Sequence, residues 1–127
     1  MDNRDLYRLA LRAMEHAYAP YSHYQVGAAL LSEDGRVFTG VNVENASYGA
    51  TICAERTACV KAVSEGARSF TKLAVVCSQG RATMCGICRQ FLSEFGVDLT
   101  VITGEDEEHL TETKLSALLP EDFQLKK

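Results

Sequence analysis

Residues 73–102 read LAVVCSQGRATMCGICRQFLSEFGVDLTVI, and their order decides the fold. Residues 73–77 form a short valine-rich apolar run, the mark of a buried strand. Residues 85–95 carry helical spacing and stop at Gly96, a residue suited to the left-handed cap that ends a helix. Residues 99–102 return to strand character. Upstream, residues 52–65 predict another helix, stopped by Gly66. Before it, residues 26–32 and 37–43 are two apolar runs separated by Glu33-Asp34-Gly35-Arg36, and Asp-Gly between such runs signals a hairpin. At the start, Leu6, Leu9, Ala10, Ala13, Met14 and Ala17 recur at helical intervals. They predict an amphipathic helix over 4–18, capped by Asp2 or Asn3 and ended by Pro20. Residues 44–51 are small, polar and loop-like, and a short helix is expected near 114–119, before Pro120. Two strand–helix alternations after a hairpin predict an α/β fold, a mixed sheet with helices on both faces.

The chain has 127 residues, enough for one domain, here 1–127, with a core that buries roughly two-thirds of the unfolded surface. Neither a repeat nor a low-complexity linker divides it. The net charge of -4 argues against a nucleic-acid partner, because phosphate contacts need clustered Lys and Arg. No apolar stretch approaches the roughly 20 residues that span a bilayer, so no membrane role is expected. Met1–Asp5 lacks the basic-then-apolar order of a signal peptide, and a cytoplasmic location is expected. Five cysteines, an odd number, read in a reducing compartment as metal ligands and core residues.

The chemistry sits in two clusters, Cys53-Ala54-Glu55-Arg56 and Cys85-Gly86-Ile87-Cys88-Arg89-Gln90. Both open expected helices, where unpaired amides and the helix dipole favour thiolates. Cys85 and Cys88, three apart, share one face of a helical turn and can chelate one ion. Cys53 must join them from the other helix. Three thiolates hold one Zn²⁺ and leave its fourth position for water. Glu55 lies roughly 200° around a regular helix from Cys53. It therefore suits proton transfer beyond the helix tip better than ligation. Three thiolates outweigh the ion by one charge; Arg56, on the face of Cys53, and Arg89, four after Cys85, are placed to donate hydrogen bonds to sulfur. Cys59 and Cys77 are expected in the core. His16, His23 and His109 are expected at the surface, as is the acidic run 105–108. Rival readings of the cysteines are a redox pair and a zinc-stabilised module without turnover.

These clusters, together with Tyr21-Ser22-His23-Tyr24-Gln25-Val26-Gly27-Ala28-Ala29 and Asn42-Val43-Glu44-Asn45-Ala46-Ser47-Tyr48-Gly49, resemble the small homotetrameric cytidine deaminases. The resemblance runs from about residue 6 to Phe123. It implies a three-layer α/β/α fold with a mixed sheet of about five strands, and one Zn²⁺ per chain held by Cys53, Cys85 and Cys88. It implies zinc-dependent hydrolytic deamination of cytidine and 2′-deoxycytidine in pyrimidine salvage, with Glu55 as the proton shuttle. It further implies substrate contacts at Tyr24, Asn42, Glu44, Ala54, Ala46, Tyr48 and Phe123. Asn42 and Glu44 match residues that hold the ribose. Ala46 and Tyr48 fall in a segment that helps complete a neighbouring subunit's site, and Phe123 matches an aromatic that covers a neighbour's base. Two departures stand out: Tyr24 occupies a position usually held by phenylalanine, and Met84 one commonly held by proline, where it could reshape the pocket wall. A deaminase of a modified nucleoside such as blasticidin S is the alternative, and a polynucleotide cytosine deaminase is a further, weaker reading.

Overall fold

The hairpin expected at Asp34-Gly35 forms, with Gly35 at φ 94°, a left-handed conformation open to glycine at no steric cost. It joins β1 (Val26–Ser32) to β2 (Val37–Val41) in antiparallel register, Ala29 opposite Thr39. The computed structural model describes all of residues 1–127. β1 pairs antiparallel on its other side with β3 (Phe70–Cys77), and β3 runs parallel to β4 (Thr100–Gly104). A fifth strand, β5 (Leu110–Lys114), closes the sheet in the order β2-β1-β3-β4-β5. β5 escaped the sequence reading because Leu-Thr-Glu-Thr-Lys is polar; an edge strand, it has one paired neighbour and buries little.

Alternation along the strands sorts the core into two layers. On one face Leu6, Tyr7 and Ala10 of α1 (Asn3–Met14) pack against Ala29, Ala74, Val76 and Ile102. On the other, α2 (Ala54–Ser64) and α3 (Gly86–Ser93) cover Ala28, Leu30, Leu73, Val75 and Val101. The expected helices on both faces are therefore present. One turn of helix, α4 (Leu115–Leu118), follows β5.

Three boundaries differ from the sequence reading. α1 ends at Met14, four residues early, because the Tyr18 backbone is committed elsewhere: its N–H donates to Asn42 O at 3.0 Å and its carbonyl accepts from Glu44 N at 2.8 Å. Pro20 also disfavours helical geometry at Ala19. β2 stops at Val41, and Val43 instead bridges Tyr18 and Ile52. Finally, Cys53 and Cys85 stand outside their helices as extended N-cap residues, at φ -75° and -72°. The two clusters thus project from helix tips rather than helix sides.

A close approach sets the depth of α2. A Cβ at Gly40 of β2 would overlap the backbone of Ala54 and Ala58. Only glycine lets the first turn of α2 lie this close to the sheet, and that turn carries Glu55.

Candidate metal centre and its cavity

The two helix tips meet. Cys53 and Cys85 place their sulfurs 3.8 Å apart, and the three sulfurs of Cys53, Cys85 and Cys88 lie within 4.8 Å of one another. A tetrahedral ion with metal–sulfur bonds of about 2.3 Å needs sulfurs about 3.8 Å apart. The donors therefore fit zinc in both chemistry and spacing, and no fourth His, Cys, Asp or Glu belongs to the cluster. Cys88 is fully buried, Cys53 half-buried and Cys85 exposed, so the cluster spans the boundary between core and cavity.

That cavity, of about 210 Å³, is lined by Cys53, Glu55 and Cys85 on one side and by Tyr24, Asn42 and Thr83 among others. Glu55 is 4% exposed. Burial raises its carboxyl to about 7, since an ionised carboxylate loses its hydration there. A carboxylic acid poised near neutrality, facing the same cavity as two thiols, can both take and return a proton. The thiols polarise one another. A hydrogen bond from Cys88 lowers Cys53 to about 5, with Arg56 and Cys85 assisting, and the Cys88 thiol is correspondingly raised by its bond to Cys53 and by burial. Arg56 Nη2 donates to Cys53 Sγ at 3.5 Å, as the spacing had suggested.

Arg89 does otherwise, and the expected bond to sulfur is corrected. Its Nε donates to Met84 O at 3.0 Å and its Nη1 to Leu118 O at 2.8 Å. The guanidinium is drawn to the unpaired carbonyl of the loop before α3 and to the end of α4, a partner invisible in local spacing. Met84 does not line the Glu55 cavity. Its side chain is 3% exposed and packs in the core beside a separate small cavity with Val101 and Leu118. Ala82 and Thr83, not Met84, form the adjacent wall of the Glu55 cavity.

Asn42 lies just past β2, yet alternation persists: Asn42 is buried, Val43 exposed and Glu44 half-buried. The Asn42 carboxamide is a brace, accepting from Val26 N at 2.9 Å and donating to Tyr24 O at 2.7 Å. Glu44 lines an adjoining cavity of about 390 Å³ with Tyr21, Ser22, Asn45, Tyr48 and Thr51. Thr51 lines both cavities, so the two adjoin. Together they fall in the range of small-molecule sites, roughly 300–1,000 Å³. The Tyr24 hydroxyl is pushed up to about 12, first by burial and then by the Cys77 thiol and Glu55. Ala54 lines the Glu55 cavity and is fully buried. Ala46 and Phe123 line neither part, and Tyr48 and Phe123 are 78% and 67% exposed. Gln90 pins the Phe123 backbone, donating to its carbonyl at 2.8 Å and accepting from its N–H at 2.9 Å. Sequence reading missed this brace, and missed Thr51, Thr83 and Ser22. Small hydroxyl residues in loops carry no periodic signal. Cys59 is in the core as expected, whereas Cys77 is only half-buried at the end of β3.

Two helix tips that bring three thiols together and set two of them, with a buried carboxylic acid, against one cleft define the class: a zinc hydrolase. Comparison with known proteins narrows it. Residues 1–104 match the family model described as the cytidine and deoxycytidylate deaminase zinc-binding region. A cytidine deaminase of Halalkalibacterium halodurans is 49% identical over 125 residues, covering 97% of this chain and 95% of the relative. A probable cytidine deaminase of Dictyostelium discoideum is 51% identical over 114 residues, covering 87% and 76%. The crystal structure of cytidine deaminase from Burkholderia pseudomallei superposes with a TM-score of 0.91 at 45% identity, covering 97% of this chain and 100% of that one. The chain belongs to the cytidine and deoxycytidylate deaminase family.

Proposed function

We propose that this chain hydrolyses the exocyclic C–N bond of cytidine and 2′-deoxycytidine, releasing ammonia and the corresponding uridine. The observation that carries the reading is the buried Glu55 carboxyl, facing one cavity with Cys53 and Cys85. Zinc held by Cys53, Cys85 and Cys88 would supply a Lewis acid that makes water nucleophilic near neutral pH. Glu55 accepts the proton of the attacking water and passes it to N3 of the base, which makes C4 electrophilic. The same carboxylate then takes the proton of the new C4 hydroxyl and delivers it to the exocyclic amine, which leaves as ammonia as the C4 carbonyl forms. In the metal-free chain burial raises this carboxyl to about 7, so it takes up and gives back a proton near neutral pH. Arg56 offsets the surplus negative charge of three thiolates.

Tyr24 and Ala54 bound the space for the base, and Asn42 and Glu44 receive the sugar hydroxyls, Asn42 from the Glu55 cavity and Glu44 from the adjoining one. Ala46, Tyr48 and Phe123 act at the site of a second copy in a homotetramer, a role supported by the outward exposure of the two aromatic rings. The protein works as a single domain over 1–127 in the cytoplasm, on a free nucleoside. No helix is long and apolar enough to cross a membrane, and the net charge of -4 does not suit a polynucleotide substrate. The relatives' names favour the ordinary nucleoside over a modified one such as blasticidin S.

The test is ammonia release from cytosine, cytidine, deoxycytidine, CMP and blasticidin S, with zinc measured per chain. Cytidine and deoxycytidine should turn over. Glu55→Gln should keep its zinc and lose about 10²–10⁴-fold in kcat, the usual worth of a positioned acid/base. Undiminished turnover in that variant would overturn the assignment.

A further inference from the structure

Glu44 does not stand free in its cavity. Its Oε1 accepts from Tyr21 N at 2.9 Å and from Ser22 N at 3.1 Å, and its Oε2 accepts from the Ser22 hydroxyl. The same hydroxyl oxygen accepts from Tyr24 N at 3.0 Å. Between Ser22 and Tyr24, His23 has φ 60°, a left-handed conformation uncommon outside glycine. That turn sits where the chain folds the Tyr24 amide back onto Ser22. Ser22 thus joins two residues that line different parts of the cleft, Glu44 in one and Tyr24 in the other.

An ionised carboxylate offers about four acceptor positions. The loop fills both on Oε1 and one on Oε2, leaving a single direction open on Oε2. We propose that Ser22 is a positioning residue: it aims the remaining acceptor of Glu44 at a substrate sugar hydroxyl and holds it in register with the Tyr24 wall. The inference rests on the nucleoside reading above and names the residue that organises its sugar end.

The test compares wild type, Ser22→Ala and Ser22→Thr on cytidine and on 2′,3′-dideoxycytidine, the latter measured as substrate or competitive inhibitor. Zinc per chain and thermal unfolding are followed in parallel. Ser22→Ala should raise KM for cytidine about tenfold, the scale of a lost hydrogen bond to a charged group, with kcat within about twofold. Affinity for the dideoxynucleoside, which lacks the 2′- and 3′-hydroxyls, should be unchanged. Ser22→Thr should restore the cytidine KM, and Ser22→Ala should add nothing in a Glu44→Ala background. An equal loss on both nucleosides, no loss on cytidine, or an effect persisting without Glu44 would overturn the proposal while leaving the deaminase reading intact. A wild-type enzyme inert toward both nucleosides would overturn the reading and this inference with it.

Discussion

Arg56 donates to Cys53 Sγ at 3.5 Å, a bond between a metal-ligand candidate and a residue one helical turn along. The bond links the charge of the guanidinium to the softest point of the site. A thiolate that shares its electrons with a hydrogen-bond donor gives fewer to the metal, which keeps the metal electrophilic.

Replacing Arg56 with Ala should therefore lower zinc affinity or turnover about 10–100-fold while leaving the far-UV circular dichroism unchanged. Zinc per chain after dialysis, set beside ammonia release, checks it. Full activity at full zinc content would remove the role.

Removing the metal should sort the cysteines. Chelated enzyme treated with iodoacetamide near pH 6 should be alkylated at Cys53, whose thiol is lowered to about 5 by its bond from Cys88 and by Arg56. Cys59, fully buried and pushed up to about 11, should stay unmodified while the fold holds. Peptide mass spectrometry reads both sites, and saturating zinc should protect Cys53.

Glu55 makes the metal-free protein sensitive to pH in a defined sense. Its carboxyl is raised from 4.5 to about 7 by burial, so between those values the folded chain binds more protons than the unfolded chain. The contribution of Glu55 to stability is therefore fullest below about 4.5 and is lost as pH rises through 7. Glu55→Gln, which cannot ionise, should escape the loss. In urea unfolding with chelator present, the variant should match wild type near pH 4.5 and exceed it at pH 8 by on the order of 3 kcal/mol. Parallel pH profiles for the two proteins would contradict the burial argument.

Gly40 connects the sheet to the chemistry. A methyl group there meets the backbone of Ala54 and Ala58, so Gly40→Ala must push the first turn of α2 outward. The cost should be about 1–3 kcal/mol, the range of overpacked cores. Because Cys53 and Glu55 ride on that turn, zinc retention should fall along with Tm. A variant that loses Tm but binds zinc normally would show that α2 shifts without moving its tip.

Much of the fold was legible because its signals are local. The Asp34-Gly35 turn, the apolar runs of β1 and β3 and the capping glycines after α2 and α3 act within a few residues. β5 was not legible, since the hydrogen bonds that make Leu-Thr-Glu-Thr-Lys a strand come from β4. The end of α1 was misread for the same reason: Tyr18 answers to Asn42 and Glu44, more than 20 residues away, rather than to its own helical neighbours. At the site, the Cys85–Cys88 pair and the Arg56 contact could be read from spacing along single helical turns, and Cys53 and Glu55 from residue type at a second helix start. Arg89 could not, because its carbonyl partner on α4 is brought near only by the packing of α3 against α4.

Local chemistry alone determined the donor types, their pairing at i and i+3, and their place at helix starts, because each depends on backbone geometry within one turn. Tertiary structure alone decided that Cys53 meets Cys85 across 32 residues, that Glu55 is buried enough to hold its proton near pH 7, and that Ser22 ties Glu44 to Tyr24. Those outcomes depend on β1 pairing with β3, on α2 settling against Gly40, and on a loop folding back under a carboxylate. Distance in space and exclusion of water set them, and neither is a property of residues read in order.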